Sequence, residues 1–369
     1  MTVAAGTKDR VEMEVGAWGL FCGPEGRQLV LVGDEPCGPV SARKVMKTVP
    51  RQLLLLEGRV TRVYEKGRAL REFAEYGGKR YEVQLHPLIT PLTQSTVAVY
   101  GIVMPAGETA PERPLVGSWE WEIKRGPDGL PTPERRTYWD ENVHRLYDVD
   151  PEIVSQRDNR WEVGEWANEM IDPRDQMRLS SSIRGGIQDG LKGDVGVVRC
   201  LTCYARTGYP KPPSERGRRH LRLCGQIRPI APEDPVIIMR GFSYEAPEDF
   251  HDLALRPDAS RVDDALRRAM ELSRDPMAIL DVSTLEVMMT NPAWRQEDFG
   301  HVVTLEEHSA GDNAELRAFL LEAATDFEEL RSRTTLLRRA DGETREVVIT
   351  AGGVRADVPG RDVVVRIEV

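Results

Sequence analysis

The sequence predicts an α+β protein of three modules, each a mostly antiparallel sheet flanked by helices. Three observations carry that expectation. Two stretches rich in Pro and acidic residues, 105-PAGETAPERP-114 and 245-EAPEDFHDLALRP-257, hold no sustained helix or strand period and read as linkers. Each resulting third ends in an apolar run that suits a buried strand: 96-TVAVYGIVM-104, 235-PVIIMRGFSY-244 and 361-RDVVVRIEV-369. The last third also has a readable order of strand, strand, short helices, long helix and three strands. A chain of 369 residues, 40% hydrophobic, has material for more than one core. The expected modules are 1–107, 113–246 and 258–369.

In the first third, 17-AWGLFC-22 and 28-QLVLVG-33 pair as a hairpin across Gly23 to Arg27. A helical region over 41–66 and strands near 70–76, 79–89 and 96–104 follow. The middle third opens with the strand 117-GSWEWEI-123, and 137-TYWDENVHRLYDVDPE-152 carries a second strand into short helices. A helix begins within 171-IDPRDQMRLSSSIRGGI-187, and strands are expected at 196–205, 219–227 and 235–244. The loop 206-RTGYPKPPSERGR-218 is too long for a tight turn and is expected to be mobile.

In the last third, 258-DASRVDDALRRAMELSRDP-276 places Val262, Ala265, Leu266, Ala269 and Met270 on one stripe of a lead-in helix. Ser260 is its candidate N-cap, and Pro276 stands just past its end. The runs 277-MAIL-280 and 285-LEVMMT-290 form a hairpin, after which Asn291-Pro292 caps and starts a helix, since Pro fits the first helical turn. A long helix is expected over 312–333, with Leu316, Phe319, Leu320, Ala323, Phe327 and Leu330 on one face. Asp341-Gly342 turns a hairpin over 335–350. The terminal strand then alternates Val363, Val365, Ile367 and Val369 with more polar residues.

This order resembles the PAS family of sensor domains. The residues that carry the likeness are 279-ILDVSTLEVMMTNPAWR-295, like the family's first hairpin and Asn-Pro-Ala helix start, and 338-RRADGETREVVI-349, like its Asp-Gly hairpin. The middle third resembles the same template through its opening strand, its short helices and its Pro-Asp helix entry; the family often has Gly where Asp148 stands. The first third resembles the broader PAS/GAF architecture without one motif to carry it. The arrangement as a whole is similar to three-domain PAS/GAF-type sensor proteins of mycobacteria and related actinobacteria. The resemblance implies a sensor or signal-transduction role.

Composition narrows the partners. The formal net charge of −10 argues against a nucleic-acid or anionic-membrane binder. Eight lysines among 50 basic residues make Arg-rich runs a compositional habit and weak evidence of anion recognition. The N-terminal residues lack an apolar signal core, and the longest aliphatic run is Leu53 to Leu56, so no span is expected and the protein reads as cytoplasmic. Five cysteines, unevenly placed, do not make a disulfide framework, so reduced thiols are expected. Phosphate-loop, dinucleotide, HExxH and GxSxG motifs are absent, and the last expected strand runs to Val369. A non-enzymatic protein without an appended kinase, cyclase or DNA-binding domain is therefore expected.

Three sets of residues are candidate sites. The pair in 200-CLTC-203, with Cys224 and His220, has zinc-type donors, but three-residue spacing on a strand turns Cys200 and Cys203 to opposite faces, so no joint metal site is expected. Five of the seven tryptophans, Trp119, Trp121, Trp139, Trp161 and Trp166, stand close in sequence. They either pack a core or wall a small-molecule pocket, and Trp119, Trp121 and Trp139 are the expected ligand-binding residues. His144, His251, His301 and His308 lack metal spacing, while Asp172 and Asp175 suit a helix start. Neither a LOV-type flavin motif nor a haem-ligating His on the 312–333 helix is present, and no cofactor is assigned. The expected function is a sensor that binds an unidentified small molecule or protein partner, the alternative being an interaction scaffold with filled PAS-like cores. The stripe through Val262, Leu266 and Met270 either packs on its own module or forms a homodimer seam.

Overall fold

The computed structural model describes residues 11–126, 131–191, 193, 197–228, 234–250, 269–270, 272–282, 285–297, 305, 309–325, 329–339, 342–354 and 362–368. It is a mixed α/β structure with three sheets. The first contains β1 (Gly19–Cys22), β2 (Gln28–Val32), β3 (Glu35–Ser41), β4 (Leu70–Tyr76), β5 (Lys79–Ile89) and β6 (Thr96–Pro105), in the order β3-β2-β1-β6-β5-β4. The second contains β7 (Val116–Arg125), β8 (Pro131–Trp139), β9 (Arg160–Glu162), β10 (Arg199–Thr207), β11 (Gly217–Ile227) and β12 (Val236–Glu245), in the order β10-β11-β12-β7-β8-β9. The third contains β13 (Met277–Asp281), β14 (Glu286–Thr290), β15 (Arg331–Arg338), β16 (Thr344–Gly353) and β17 (Asp362–Glu368), in the order β14-β13-β17-β16-β15.

The three orders are one permutation. In each sheet the first strand lies beside the last at the centre, and the remaining strands extend outward on either side. Strand pairing is antiparallel for β1 with β2 and β6, for β10 with β11, for β11 with β12, and throughout the third sheet. The expected hairpin of the first third is present as β1 and β2. Two strands were not expected from the sequence. β3 carries Pro36 and Pro39 and reads locally as a loop, yet it is an edge strand, where a residue without an N–H is tolerated. β9 is only three residues long, and it too forms an edge.

By compactness the chain divides into two units: Met1–Glu122 with Arg136–Trp161 and Arg184–Ala254, and Ile123–Arg135 with Glu162–Ile183 and Leu255–Val369. Within the former unit the first sheet is buried on both faces. Phe21, Leu29, Val83, Leu85, Val99 and Val103 pack beneath Leu53, Leu54, Val60 and Val63 from the helical segments over 42–66. The alternate residues of the same strands, Leu20, Val30, Tyr100, Ile102 and Met104, meet Val116, Cys224, Phe242 and Tyr244 of the second sheet in a shared core. Period-two alternation thus serves two cores at once. Polar contacts extend the seam: Ser118 Oγ donates to the Ile89 carbonyl (2.8 Å), and the Glu120 carboxylate accepts from the N–H groups of Leu92 (3.2 Å) and Thr93 (2.7 Å).

In the latter unit, the third sheet covers one face with the helices Pro292–Gln296 and Asn313–Thr325. Leu280, Val347, Ile349, Val363, Val365 and Ile367 pack with Trp294, Leu316, Leu320 and Ala323. Asn291 organises the entry. Its Oδ1 accepts from the N–H of Trp294 (3.0 Å), capping the helix, and from the N–H of Met277 (2.9 Å), while Nδ2 donates to the carbonyls of Met270 (3.1 Å) and Asp275 (2.8 Å).

The long helix expected over 312–333 is shorter. It is described over Asn313–Thr325, and β15 begins at Arg331; Leu330, just before that strand, is 74% exposed. The eight-pair ladder from Arg331↔Ala351 to Arg338↔Thr344 outweighs the helical period of that stretch. Most of the lead-in helix, with Val262 and Leu266, lies outside the described residues, as do His251, His301, His308, Phe327, Asp341 and Val369. Met270 is described and is buried against Ile279 and Met289, on the face of the third sheet opposite its helices.

Candidate functional site

The middle sheet gathers aromatic residues because two helices are closed tightly onto its strands. Asp140 follows β8 and caps the helix Glu141–Tyr147: Oδ1 accepts from the Val143 N–H (2.9 Å), and Oδ2 accepts from the Ser118 N–H (2.8 Å) and lies 2.9 Å from the Ser118 hydroxyl, whose one proton is shared between this carboxylate and the Ile89 carbonyl. Burial raises the Asp140 carboxyl above its ordinary range, against the lowering effect of those donated bonds. Gly117 permits the approach, since a Cβ there would sit 2.3 Å from the Val143 nitrogen. The helix ends at Asp148, whose φ of 50° is left-handed and explains why glycine suits that position. A second short helix, Pro151–Arg157, is capped by Asp150.

Trp139 consequently lies among other aromatic rings. Its ring stacks on Tyr147 (5.0 Å between centroids, 17°) and on Trp161 (5.1 Å, 26°), with His144 at 5.3 Å. Trp161 Nε1 donates to His144 Nε2 (3.4 Å), so the proton of the neutral ring resides on Nδ1, which donates to the Asp140 carbonyl (3.0 Å). Burial lowers the His144 pKa, partly opposed by that carbonyl. Tyr209 meets Trp161 edge-on (5.5 Å), Arg157 lies over Trp161 (4.2 Å), and Arg216 lies over Tyr209 (5.2 Å). The loop 206–218, expected to be mobile, is tied at this point: the N–H of Gly208 donates to the Tyr147 carbonyl (3.0 Å), and that of Asp150 to the Tyr209 carbonyl (3.0 Å).

Trp119 and Trp121 form another pair, their rings 5.8 Å apart. Trp119 lies across two glycines. A Cβ at Gly225 or Gly241 would be 2.8 Å or 2.3 Å from its ring atoms, and its Nε1 donates to Ser243 Oγ (3.0 Å). The three expected ligand-binding residues, Trp119, Trp121 and Trp139, are 7%, 3% and 2% exposed. Trp139 Nε1 likewise donates within the protein, to Thr137 Oγ1 (3.0 Å), so the N–H groups of both Trp119 and Trp139 are engaged by neighbouring side chains.

The thiols follow the strand alternation expected for Cys200 and Cys203. Cys200 lies directly opposite Cys224 in the β10–β11 ladder, with Sγ atoms 3.0 Å apart. Cys203 falls on the other face by strand alternation, and His220 stacks on Tyr204 (4.6 Å). Cys22 and Cys37, from the first sheet, reach the same neighbourhood. Cys22 shares the core with Cys224 and Cys200, and the Cys37 carbonyl accepts from Arg222. Arg222 is fully buried and also donates to the Val30 carbonyl (3.1 Å) and to Tyr244 Oη (2.8 Å); Tyr244 Oη donates to the same Val30 carbonyl (2.9 Å). Burial pushes the Cys37 thiol up to about 12 and raises Cys22, Cys224 and the Tyr244 phenol, while the nearby guanidinium opposes the rise in each. No local sequence signal joins Cys22 and Cys37 to the others, because sheet packing brings them together. Among the described residues, no group of three or more His, Cys, Asp or Glu could hold a metal ion.

A cleft of about 610 Å³ lies beside the helical segments of the first sheet, with Arg27, Arg43 and Arg62 at its rim and Leu55, Leu56 and Thr61 among its walls. No described helix is long and apolar enough to cross a membrane.

The sequence matches no protein-family profile and no curated protein. Among solved structures it is similar to an uncharacterized protein from Mycobacterium tuberculosis, at 14% identity and a TM-score of 0.60, over 96% of this chain and 97% of that one. That likeness is one of fold. The PAS domain of an HTR-like protein from Haloarcula marismortui is similar over 30% of this chain and 93% of its own, at 19% identity and a TM-score of 0.25. The PAS domain of Bordetella pertussis BvgS is similar over 28% of this chain and 81% of its own, at 17% identity and a TM-score of 0.19.

Proposed function

We propose that the chain is a cytoplasmic, non-enzymatic signalling protein made of three PAS/GAF-like sensor modules, akin to three-domain sensors of actinobacteria. The observation that carries this reading is the strand permutation common to all three sheets, with the first and last strands paired at the centre. It supports one module type used three times, and the Asn291-Pro292 hairpin-to-helix junction gives the third copy its PAS character. In this reading the middle module is the sensing one. A small molecule occupies the aromatic walls of Trp119, Trp121 and Trp139, and it acts by favouring one arrangement of the Tyr209 loop over another.

Native mass spectrometry of the purified full chain tests this. The expected result is a bound small-molecule mass that Trp139→Ala loses. If only the bare chain mass is found, and no compound in a thermal-shift screen raises its melting temperature, the ligand-sensor reading fails.

A scaffold reading has its own observation, the near-complete enclosure of those three tryptophans by their own neighbours. It predicts a bare chain mass together with a stoichiometric protein partner or second copy.

A further inference from the structure

We propose that Cys200 and Cys224 form a reversible oxidation site, a cross-strand dithiol that hydrogen peroxide converts into a disulfide between β10 and β11. The ladder itself supplies the geometry. Residues directly opposite in an antiparallel pair have Cα atoms about 4.5–5.5 Å apart, inside the range of about 4.4–6.8 Å that disulfides span. Cys200 and Cys224 are such partners, and their Sγ atoms are already in contact. Little backbone movement is needed to join them.

The two thiols differ in access, as an attacking and a resolving cysteine should. Cys200 is half-buried on β10, which forms an edge of the second sheet, whereas Cys224 is fully buried on the neighbouring strand. In the first step Cys200 gives up its thiol proton and the thiolate attacks one oxygen of hydrogen peroxide; the O–O bond breaks, a sulfenic acid forms, and the departing hydroxide takes up that proton and leaves as water. In the second, the Cys224 sulfur attacks the Cys200 sulfur. The S–S bond forms, the S–O bond breaks, and the departing hydroxide takes the Cys224 proton to become a second water. Two thiols and one peroxide thus give one disulfide and two waters.

Arg222, two residues from Cys224 on the same strand face, supplies a cation beside the resolving thiol. Burial raises the Cys224 pKa, and the guanidinium works against that rise. Cys203 provides an internal control, because it is buried on the opposite sheet face. The proposal is independent of any ligand in the middle module, since it concerns the chain's own thiols.

The test uses the reduced full chain, treated with equimolar hydrogen peroxide, alkylated under non-reducing conditions, digested and mapped by mass spectrometry. The expected product is a Cys200–Cys224 cross-linked peptide, with two free thiols lost and both restored by dithiothreitol. Cys203→Ser should behave as wild type, and Cys200→Ser should form no such link. In Cys224→Ser, sulfenic acid should accumulate at Cys200 and be trapped by dimedone. Should that variant misfold by circular dichroism, the wild-type map and Cys200→Ser still decide. Oxidation of wild type that stops at a Cys200 sulfinic acid, or that links Cys200 to Cys22 or Cys37, would overturn the assignment.

Discussion

Trp139 and His144 show how much a single side chain settles. Trp139 is buried and stacks on two other rings, so Trp139→Ala should cost about 3–5 kcal/mol of stability, as other large-to-small core changes do. Urea unfolding measures it, and a loss below about 1 kcal/mol would show that the ring is not held in a packed core. His144 gives a pH signature. Its folded pKa lies below the ordinary 6.5, so stability is intact above that value. As pH falls through 6.5 the unfolded chain takes up a proton that the folded chain refuses, and stability drops until the folded pKa is reached. His144→Gln should reduce the fall in melting temperature between about pH 7.5 and about pH 5.5; an unchanged fall would assign the slope to other groups. The residue scale was only partly legible in the sequence. Asn291 announced itself as a cap, but its bonds to Met270, Met277 and Asp275 depend on a strand and a preceding segment that no local pattern specifies. Cys224 was named from the sequence beside Cys200, whereas the approach of Cys22 was hidden, because the first sheet supplies it.

Secondary-structure elements were more legible where one periodicity dominated. The hairpin of β1 and β2, the strands β4 to β6 and the Asn291-Pro292 helix start follow from alternation and turn chemistry alone. Failures occurred where two signals competed. Residues 326–333 continue a helical spacing, yet Arg331 onward pairs with β16, and β3 hides behind two prolines. This assignment has a measurable consequence. Hydrogen exchange should be slower at the amides of β16, which is bonded on both sides, than at those of the edge strand β15; equal rates would contradict the sheet order. Close approach makes another. Gly241 carries the Trp119 ring and faces the Cys224 carbonyl at a distance no Cβ could share, so Gly241→Ala should destabilise by about 1–3 kcal/mol in a denaturant titration. A neutral result would mean that the ring has room to move.

At the scale of the molecule, the first two sheets share a core, and the fragment 1–107 should not stand alone. Removing the second sheet exposes Leu20, Val30, Tyr100, Ile102 and Met104 together, and a patch of that kind drives self-association. Sedimentation of that fragment should show oligomers or precipitate, whereas the full chain should remain dispersed. A monodisperse, folded 1–107 fragment would mean that the shared core contributes little. The Pro-rich, acidic stretches suggest three segments, whereas the grouping of the first two sheets around one core was not legible, because alternate-face burial looks the same whichever surface covers it. The central pairing of first and last strands bears finally on the order of manufacture. A ribosome delivers the end of β1 74 residues before the start of the β6 that flanks it (22 to 96), and the wait is 111 residues from β7 to β12 (125 to 236) and 81 from β13 to β17 (281 to 362). Each opening strand therefore spends its early life with one side unclaimed, and translation speed across the intervening helices governs how long a nascent chain leaves that edge open to the wrong neighbour.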